Sequence, residues 1–468
     1  MLCYSISWWG SEAGLKEELL LQVLQSILQA ISALLSGWLM FMLVYQMVLT
    51  VLGFRRRTKD YADHAPQSRF LVLVPAHNEE KVIGDIIENL QRMDYPRELY
   101  DFYVIADNCT DGTAQRARSL GAKVIETHKE SPDAPTGKPI ALKKALEQLD
   151  DYAQRYDLMM IFDADNLIDV DMFREVNSQY LDKQKPDFIQ CYLGSKNKTG
   201  VVAWFYYTSY TITNRFFQEA KYRLGLNCSI GGTGFAMSTA YLAKRGGWTT
   251  MSLTEDFEIQ VEATLDGRRI LWNHNTRVYD EKPTRISASL RQKIRWAQGH
   301  WFVALRNTGK VFKGLFTGKI GLGEALSLIT YMYSLSTYLI ALIQLAISLV
   351  LLLPGFVYEP GEVTLGSYLG GLGIFVYSYF MLFYVADYMD NGISFRLRTV
   401  PLMIWSVMVN TVIAALSQLI GLAKRRQQQH WVKTEHSIDR CSKLRNPTLE
   451  EEKAAESSQK TDHLAEGM

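Results

Sequence analysis

Long uncharged apolar stretches near both ends of this chain constrain its fold more than any other feature. One stretch covers residues 30–52, and others cover 325–353, 365–386 and 400–422. About 20 consecutive apolar residues are enough for a helix to cross the ~30 Å hydrocarbon core of a bilayer. The first stretch is too long, starts too late and follows too many acidic residues to be a signal peptide. The sequence therefore predicts one N-terminal and three C-terminal spans around a polar central domain.

Positive charges beside these stretches indicate the side of the membrane on which the central domain lies. Four of them follow the first stretch, at Arg55, Arg56, Arg57 and Lys59. Because such charges flank spans on the cytoplasmic side, we expect an integral protein of the cell (plasma) membrane whose central domain is cytosolic. Three more follow the last stretch at 424–426, which four simple crossings would leave outside. Either residues 321–353 include a re-entrant or interfacial piece, or the charge rule fails here.

Overall charge and cysteine spacing argue against several classes of protein. The 50 Lys and Arg residues balance the 49 Asp and Glu residues, which leaves a formal charge of +1. This balance argues against a nucleic-acid-binding protein driven by bulk charge. The five cysteines show no Cys-x-x-Cys spacing, so neither a zinc site nor a disulfide framework is expected. The tail after Cys441 is polar and is expected to be disordered.

The central domain alternates short apolar runs with helical ones. We predict strands at 70–75, 101–106, 122–126 and 158–162, and helices at 79–92, 112–120 and 138–149. This β-α-β-α order predicts an α/β fold with a mostly parallel sheet. Ligands of such sheets bind beyond the carboxyl ends of the strands. The sequence places Asp, Asn and His residues at those ends.

Acidic residues at two strand ends suggest a ligand-binding or metal-binding site. Asp107 directly follows the second strand, where contact with a ligand and capping of the next helix are both open interpretations. Asp163 and Asp165 follow the fourth strand, and residues two apart on an extended backbone point to the same side. Neighbouring carboxylates repel each other unless a cation lies between them. The pair therefore predicts a site for a hard divalent ion that bridges a diphosphate.

Two further motifs follow in the second half of the domain. The Thr-Glu-Asp run at 254–256 suits a helix N-terminus and also a catalytic acid, and both roles can hold together. Gln292, Arg295 and Trp296 are spaced to share one face of a helix. The alternative for residues 286–305 is a basic amphipathic helix on the membrane surface.

These motifs together resemble those of a known family. Their order is Asp107, then Asp163-x-Asp165, then Thr-Glu-Asp256, then Gln292-x-x-Arg-Trp296, and membrane spans flank the set. This arrangement is similar to that of the processive, membrane-embedded family 2 glycosyltransferases, which include cellulose, chitin, hyaluronan and poly-N-acetylglucosamine synthases. The resemblance covers residues 70–301. It implies a cytosolic GT-A-type domain flanked by transmembrane α-helices, with a UDP-sugar bound at the carboxyl edge of the sheet.

The resemblance implies roles for individual residues on the donor side. Four residues would line the uridine pocket: Pro75, Ala76, His77 and Glu79. Asp107 would contact the uracil ring, and Lys138 would lie near the diphosphate. Asp163 and Asp165 would hold uridine diphosphate together with Mg²⁺ or Mn²⁺.

The resemblance also implies roles on the acceptor side. Asp256 would be the general base, with Glu255 beside it in a catalytic acidic pair. Three residues would close on the diphosphate and the acceptor sugar: Gln292, Arg295 and Trp296. A glycine-bearing loop near the acceptor would comprise Gly232, Thr233 and Gly234. The segment 431–434 is reminiscent of a gating segment in some relatives.

The expected organisation has five parts. They are an N-terminal amphipathic and transmembrane helix (1–53), the GT-A domain (54–284), interfacial helices with the Gln-x-x-Arg-Trp motif (285–320), C-terminal transmembrane helices (321–423) and a partly disordered polar tail (424–468).

The resemblance implies an inverting hexosyltransferase that extends a β-linked polysaccharide from a UDP-sugar and couples this to export. The alternative is a non-processive enzyme that glycosylates a membrane lipid, because such enzymes share a similar set of residues. A transporter or scaffold is not supported, since the apolar stretches contain few charges. The expected partners are a UDP-sugar, a carbohydrate or glycolipid acceptor and the lipid bilayer, but no nucleic acid. The oligomeric state stays open.

Overall fold

The computed structural model describes residues 4–55, 57–131, 134–351, 353, 365–393 and 395–428. The predicted gating segment at 431–434 and most of the polar tail lie outside these residues.

A single eight-stranded sheet forms the centre of the domain. Its strands are β1 (Phe70–Ala76), β2 (Tyr100–Asp107), β3 (Lys123–Thr127), β4 (Leu158–Ile161), β5 (Leu167–Ile168), β6 (Phe188–Ser195), β7 (Phe235–Ser238) and β8 (Ile270–Asp280). Their order is β3-β2-β1-β4-β7-β6-β8-β5. The four predicted strands are β1 to β4, and they pair in parallel as expected.

The second half of the sheet is mixed, which the strand pattern did not predict. Strand β7 lies antiparallel between β4 and β6, and β5 pairs antiparallel with β8. Strands β6 and β8 are parallel to each other, so parallel pairs still outnumber antiparallel ones. The short strand β7 follows a glycine-bearing loop, and its four residues give too little pattern to be recognised.

Nine helices belong to the described part of the central domain. They are α2 (Ile83–Gln91), α3 (Thr113–Ser119), α4 (Lys138–Gln148), α5 (Tyr152–Arg155), α6 (Met172–Asp182), α7 (Gly200–Thr213), α8 (Glu219–Arg223), α9 (Thr239–Lys244) and α10 (Glu255–Leu265). A short π-helix, Asn214–Gln218, joins α7 to α8. The predicted helix at 79–92 begins later, at Ile83, because residues 80–82 form a turn in which the N–H of Val82 donates to the carbonyl of Glu79.

Alternate residues of the strands pack into two cores on opposite faces of the sheet. In β1, Phe70 and Val72 belong to one core, and Leu71 and Leu73 belong to the other. This alternation follows from the two-residue period of a strand. Because both faces are covered, the central strands read as continuous apolar runs. The sheet is thereby fixed in register, and its carboxyl edge is a rigid platform.

The remaining helices form the apolar part of the protein. They are α1 (Tyr4–Gly53), α11 (Ile286–Phe316), α12 (Leu322–Tyr333), α13 (Ser336–Leu351), α14 (Leu365–Asn391) and α15 (Val400–Ala423). Among the described residues, Lys16–Gly53 and Leu397–Ala423 are long and apolar enough to cross a membrane. Helices α12 and α13 pass the same test only as a pair, bent by 64°. The predicted span at 325–353 is therefore two helices joined at a bend, and the predicted spans at 365–386 and 400–422 fall within α14 and α15.

The C-terminal helices return to the central domain at two places. In the last turn of α14, Asp390 is buried and lies 2.9 Å from the guanidinium of Arg215. Beyond α15, the side chain of Gln428 accepts a hydrogen bond of 3.0 Å from the backbone N–H of Leu253. The positive charges at 424–426 therefore lie on the same side as the domain, and the bend between α12 and α13 agrees with a re-entrant or interfacial piece.

This placement predicts where a reagent can reach the end of α15. A cysteine introduced as Arg426→Cys should react with an impermeant maleimide in inside-out vesicles and stay unlabelled in intact cells, because the charge rule predicts that the domain side is cytosolic. Lys143→Cys, on the exposed face of α4, is the matched control and should behave identically. Labelling of the Arg426→Cys variant alone from outside would contradict the placement.

Candidate active site

A cavity of about 730 Å³ opens at the carboxyl edge of the sheet. It is bounded by the ends of β1, β2 and β4, the loop before β7, and helices α10, α11 and α12. The cavity wall includes all but one of the site residues predicted from the sequence: Pro75, Ala76, His77, Glu79, Asp107, Lys138, Asp163, Asp165, Gly232, Thr233, Glu255, Asp256, Gln292, Arg295 and Trp296. Residues separated by more than 200 positions thus meet in one site.

Gly234 is the predicted residue that lies outside the wall. Its N–H donates to the carbonyl of Ile161, and its carbonyl accepts from Cys191. Its φ is +62°, and a Cβ there would lie 2.4 Å from Val278. Gly234 therefore serves the turn into β7, and its predicted place near the acceptor stays a prediction.

The ends of β1 and β2 form one side of the cavity. His77 Nδ1 lies 2.7 Å from the carbonyl oxygen of Asp107, which can only accept, so that nitrogen carries the proton. The carboxylate of Asp107 accepts from Thr127 Oγ1 at 2.8 Å and from the side chain of Asn108 at 2.8 Å. The helix-cap interpretation belongs instead to Asp111, which accepts from the N–H of Thr113 at the start of α3.

Lys138 links the acidic residues in the middle of the cavity. Its ammonium group donates to Asp163 at 2.7 Å and to the carbonyl of Gly232 at 2.7 Å, and it lies 3.8 Å from Glu255. Burial alone would lower the pKa of Lys138, but Asp163 and Glu255 outweigh it and raise that pKa. Lys138 is therefore a fixed positive charge at the first turn of α4.

Asp163 and Asp165 differ in their surroundings. Asp163 is partly exposed to the cavity, and its N–H donates to Asn166 Oδ1 at 3.0 Å. Asp165 is buried and accepts from the side chain of Asn166 at 3.1 Å and from the N–H of Glu281 at 3.3 Å. No group of three or more metal-binding side chains occurs among the described residues. Two carboxylates suit Mg²⁺ or Mn²⁺ when the remaining ligands are water and substrate phosphates.

The two acids at the start of α10 lie next to each other in the cavity wall. Glu255 is buried, and burial raises its pKa to about 7 although Lys138 opposes the shift. Asp256 is partly exposed to the cavity and accepts from the N–H of Phe257 at 2.8 Å. Burial also raises the pKa of Asp256. Gly232 has a φ of +79°, and a Cβ there would lie 2.9 Å from Asp256 Oδ2, so only glycine permits this close approach.

The Gln-x-x-Arg-Trp motif lies on α11, and its three side chains share one face as predicted. Gln292 accepts a hydrogen bond of 2.9 Å from Tyr206. Arg295 donates to the carbonyl of Leu253 at 3.1 Å, immediately before the acidic run. The ring of Trp296 stands edge-on to Tyr206, with centroids 6.1 Å apart. The motif thus closes the cavity above Asp256.

Sequence reasoning missed a group of residues at the far end of the cavity. His300 stacks on Phe257, with centroids 4.2 Å apart, and Tyr331 stands edge-on to both rings. Burial lowers the pKa of His300 to about 4, so the ring is neutral at neutral pH. Within the described part of the chain, its buried Nδ1 has no hydrogen-bond partner. The spacing of four residues from Trp296 is the signal that places His300 on the same helix face.

The break between α12 and α13 contributes to the cavity wall. Ser334 and Leu335, which separate these two helices, belong to its wall together with Tyr331. The far end of the cavity therefore meets the bent, apolar helix pair. No periodic signal in the sequence connects α12 to the strand ends of the central domain, because the contact depends on the tertiary fold.

Comparison with known proteins places this geometry in a family. A family described as "Glycosyltransferase like family 2" matches residues 66–299, which is half of the chain. Among curated proteins, the chain is 25% identical to the "Probable glycosyltransferase YdaM" of Bacillus subtilis over 58% of its own length and 66% of that protein. It is also 25% identical to a "Beta-monoglucosyldiacylglycerol synthase" of Synechocystis, over 56% of each protein.

Two further similarities concern a polymer synthase and a solved structure. The chain is 22% identical to a "Poly-beta-1,6-N-acetyl-D-glucosamine synthase" of Staphylococcus epidermidis, over 64% of its own length and 73% of that protein. A mannosyltransferase from Pyrobaculum calidifontis, solved with GDP-Man and Mn²⁺, superposes with a TM-score of 0.56 at 17% identity, over 84% of this chain and 99% of the other.

The alignments cover less than two thirds of the first two relatives, so these similarities concern mainly the central domain. The structural similarity confirms the expected GT-A-type fold. With the sheet, the cavity and the matched residues 66–299 together, the chain belongs to the glycosyltransferase-like family 2.

Proposed function

We propose that the protein is an inverting hexosyltransferase that uses a UDP-sugar and transfers the sugar to a hydroxyl group at the membrane end of the cavity. The observation that carries this proposal is the meeting of Lys138, Asp163 and Asp256 in one cavity under α11. Lys138, and Asp163 through a divalent ion, can bind a diphosphate, and Asp256 can accept the proton of an attacking hydroxyl.

The donor end of the cavity supplies charge for the leaving group. A departing nucleoside diphosphate gains negative charge, which fixed cations stabilise in a site shielded from water. Lys138 is held by Asp163 and Gly232, so it is positioned before the donor arrives. Arg295 also belongs to the cavity wall. A divalent ion held by Asp163 and Asp165 would supply further positive charge beside the diphosphate.

Asp256 is the group placed to take the proton of the acceptor hydroxyl. It lies at the first turn of α10, where the helix dipole stabilises a carboxylate. Its raised pKa makes it a stronger base than an exposed aspartate. A single displacement by the deprotonated hydroxyl inverts the anomeric centre, so an α-linked donor gives a β-linked product. Trp296 can stack on the apolar face of the acceptor sugar.

The acceptor is proposed to be a growing β-linked polysaccharide whose synthesis is coupled to export. The aromatic residues at the far end of the cavity, Tyr331 and Trp296, suit a carbohydrate chain. A membrane lipid is the second candidate, and one observation favours it: the cavity ends at Ser334 and Leu335, between two apolar helices. In both cases the active site faces the cytosol of a cell whose plasma membrane holds the helices.

Product length separates the two acceptors. The full chain in lipid nanodiscs would be given radiolabelled UDP-glucose, UDP-N-acetylglucosamine, UDP-galactose, UDP-glucuronate or GDP-mannose in turn. Size-resolved product that grows with time supports the polysaccharide, and a single labelled lipid supports the second candidate. Transfer from GDP-mannose alone would contradict the UDP-sugar proposal, and release of no nucleotide from any donor would contradict the enzyme.

His300 offers a test of the acceptor end. We expect His300→Phe to raise the KM for the acceptor about three- to tenfold, because a neutral hydrogen bond contributes roughly 0.5–1.5 kcal/mol. The phenyl ring keeps the stacking on Phe257 and removes only the ring nitrogens. Affinity for UDP and kcat should stay at wild-type values. Trp301→Phe, one position along α11 and outside the cavity wall, is the control. An unchanged acceptor KM in the His300→Phe variant would exclude the contact.

A further inference from the structure

A second cavity lies at the opposite edge of the sheet from the active site. Its wall includes Pro186 and Asp187, which precede β6, and Arg268 and Arg269, which precede β8. Because β6 and β8 run in the same direction as β1, these residues mark the amino edge. The volume of this cavity, which we call the juxtamembrane cleft, is about 820 Å³. Nothing in the proposed transfer reaction uses it.

The juxtamembrane cleft is strongly basic. Its wall carries six cationic side chains: Arg55, Arg57, Lys183, Arg223, Arg268 and Arg269. Only three acidic residues share this wall, and they are Asp60, Asp187 and Glu219. The cations therefore exceed the acids by three in a chain whose overall formal charge is only +1. A cleft with this imbalance concentrates anions.

Ion pairs compensate most of this positive charge, since Lys183 lies 3.1 Å from Asp60, Arg268 lies 3.4 Å from Asp187 and Arg269 lies 3.7 Å from Glu324. Glu219 is shared by two guanidinium groups, at 3.5 Å from Arg57 and 2.8 Å from Arg223. Burial lowers the pKa of Arg57 in spite of Glu219, which means that the arginine is desolvated more than it is paired. Among the described residues, no acid lies within ion-pair distance of Arg55. The cleft therefore combines an exposed arginine without an acidic partner, Arg55, with the desolvated Arg57 beside it.

The cleft lies where two apolar helices meet the central domain. Arg55 and Arg57 follow α1, which ends at Gly53. On the other rim, Arg269 lies 3.7 Å from Glu324 in the first turn of α12. Helix α1 and the α12–α13 pair are both apolar enough to cross a membrane. The ends of two such segments mark the depth at which lipid headgroups lie.

Exposed apolar side chains surround the same place. Phe54, Leu224 and Leu322 are exposed by 47%, 46% and 60%, and each adjoins a residue or helix of the cleft. Phe316, at the end of α11, is exposed by 84%. Large apolar side chains next to arginines are the combination that anchors a surface in the headgroup region of an anionic membrane. These apolar side chains would contribute nothing to the binding of a free phosphate ion.

We propose that the juxtamembrane cleft binds the phosphodiester headgroup of an anionic phospholipid from the cytoplasmic leaflet. Guanidinium groups recognise phosphate oxygens through paired hydrogen bonds, which explains the preference for arginine over lysine in the wall. The acyl chains of the lipid would lie against the apolar rim. This proposal is independent of the transfer reaction, because the cleft and the active site lie at opposite edges of the sheet.

The test measures lipid retention, not catalysis. The full chain would be purified from nanodiscs of equal parts phosphatidylcholine and phosphatidylglycerol, and bound phosphatidylglycerol counted by native mass spectrometry. Arg55→Gln/Arg269→Gln should bind phosphatidylglycerol about 30-fold more weakly, at about 1 kcal/mol for each basic residue near an anionic surface. Both arginines are exposed, so the double variant should fold normally.

Two controls decide the outcome. Arg92→Gln/Arg116→Gln removes two exposed arginines elsewhere on the domain and should retain phosphatidylglycerol like the wild type. Soluble glycerol phosphate, added to the nanodiscs, should fail to displace the lipid. Equal retention by the cleft variant and the wild type would overturn the site, and displacement by glycerol phosphate at concentrations equal to the lipid would overturn the lipid as its ligand. Retention without any sugar transfer would leave this inference standing and remove only the proposed enzyme.

Discussion

Asp256→Asn is expected to abolish sugar transfer while UDP still binds with wild-type affinity. The change removes the proton acceptor proposed for the attacking hydroxyl, and general-base catalysis contributes roughly 10²–10⁴-fold to a rate. Asn keeps the size of the side chain and can still approach Gly232, whose missing Cβ makes room for it. The proposed nucleotide contacts lie on other elements, at Asp107 and Asp163. Turnover and UDP affinity would be measured on the same preparation.

The rival explanation treats Asp256 only as an acid at a helix N-terminus. In that case it stabilises α10 by roughly 0.3–1 kcal/mol through the helix dipole, and Asn would leave catalysis nearly intact. Glu255→Gln is the control, because Glu255 is buried against Lys138 and should affect transfer less. The smallest loss expected on removing a general base is about 100-fold. If Asp256→Asn kept more than about a tenth of wild-type turnover, the assignment of Asp256 as the base would therefore be wrong.

The second large effect is expected at the other acidic pair. Asp165→Asn should lower transfer by roughly 10²–10³-fold, which is the usual cost of removing one group that stabilises developing charge. It should also weaken Mn²⁺ binding in the presence of UDP, which electron paramagnetic resonance can measure without any turnover. Asp165 accepts from Asn166 and Glu281, and an Asn side chain can keep one of these contacts through its oxygen.

The matched control is Asp151→Asn, an exposed acid that lies outside the cavity wall. It should leave both Mn²⁺ binding and transfer unchanged. Wild-type Mn²⁺ affinity in the Asp165→Asn variant, with transfer still dependent on the metal, would place the ion on other ligands.

The donor half of the site was predictable because it depends on a local rule. Parallel strands end at one edge of a sheet, so Asp107 and Asp163 had to be neighbours once β1, β2 and β4 were recognised. The face of α11 that carries Gln292 and Trp296 followed from helical spacing in the same way. These inferences need only the period of each element.

The acceptor half depends on contacts that no local period encodes. Tyr331 reaches the cavity because α12 packs beside α10 and α11, and the break at Ser334 comes from no proline or charge in the sequence. Strand β7 runs antiparallel because the loop at Gly232 reverses the chain before it. The role of Gly234 in the turn was not predicted for the same reason, because the close approach to Val278 exists only in the folded chain.

The hydrogen bond from Leu253 to Gln428 connects the loop before α10 to the segment that follows α15. Leu253 immediately precedes Thr254, and its carbonyl also holds Arg295. The loop that presents the proposed catalytic acids is therefore clamped from both sides, by α11 and by the segment that leaves α15. Loss of Gln428 would release one side of that clamp, so any C-terminal truncation made for comparing rates should end beyond this residue.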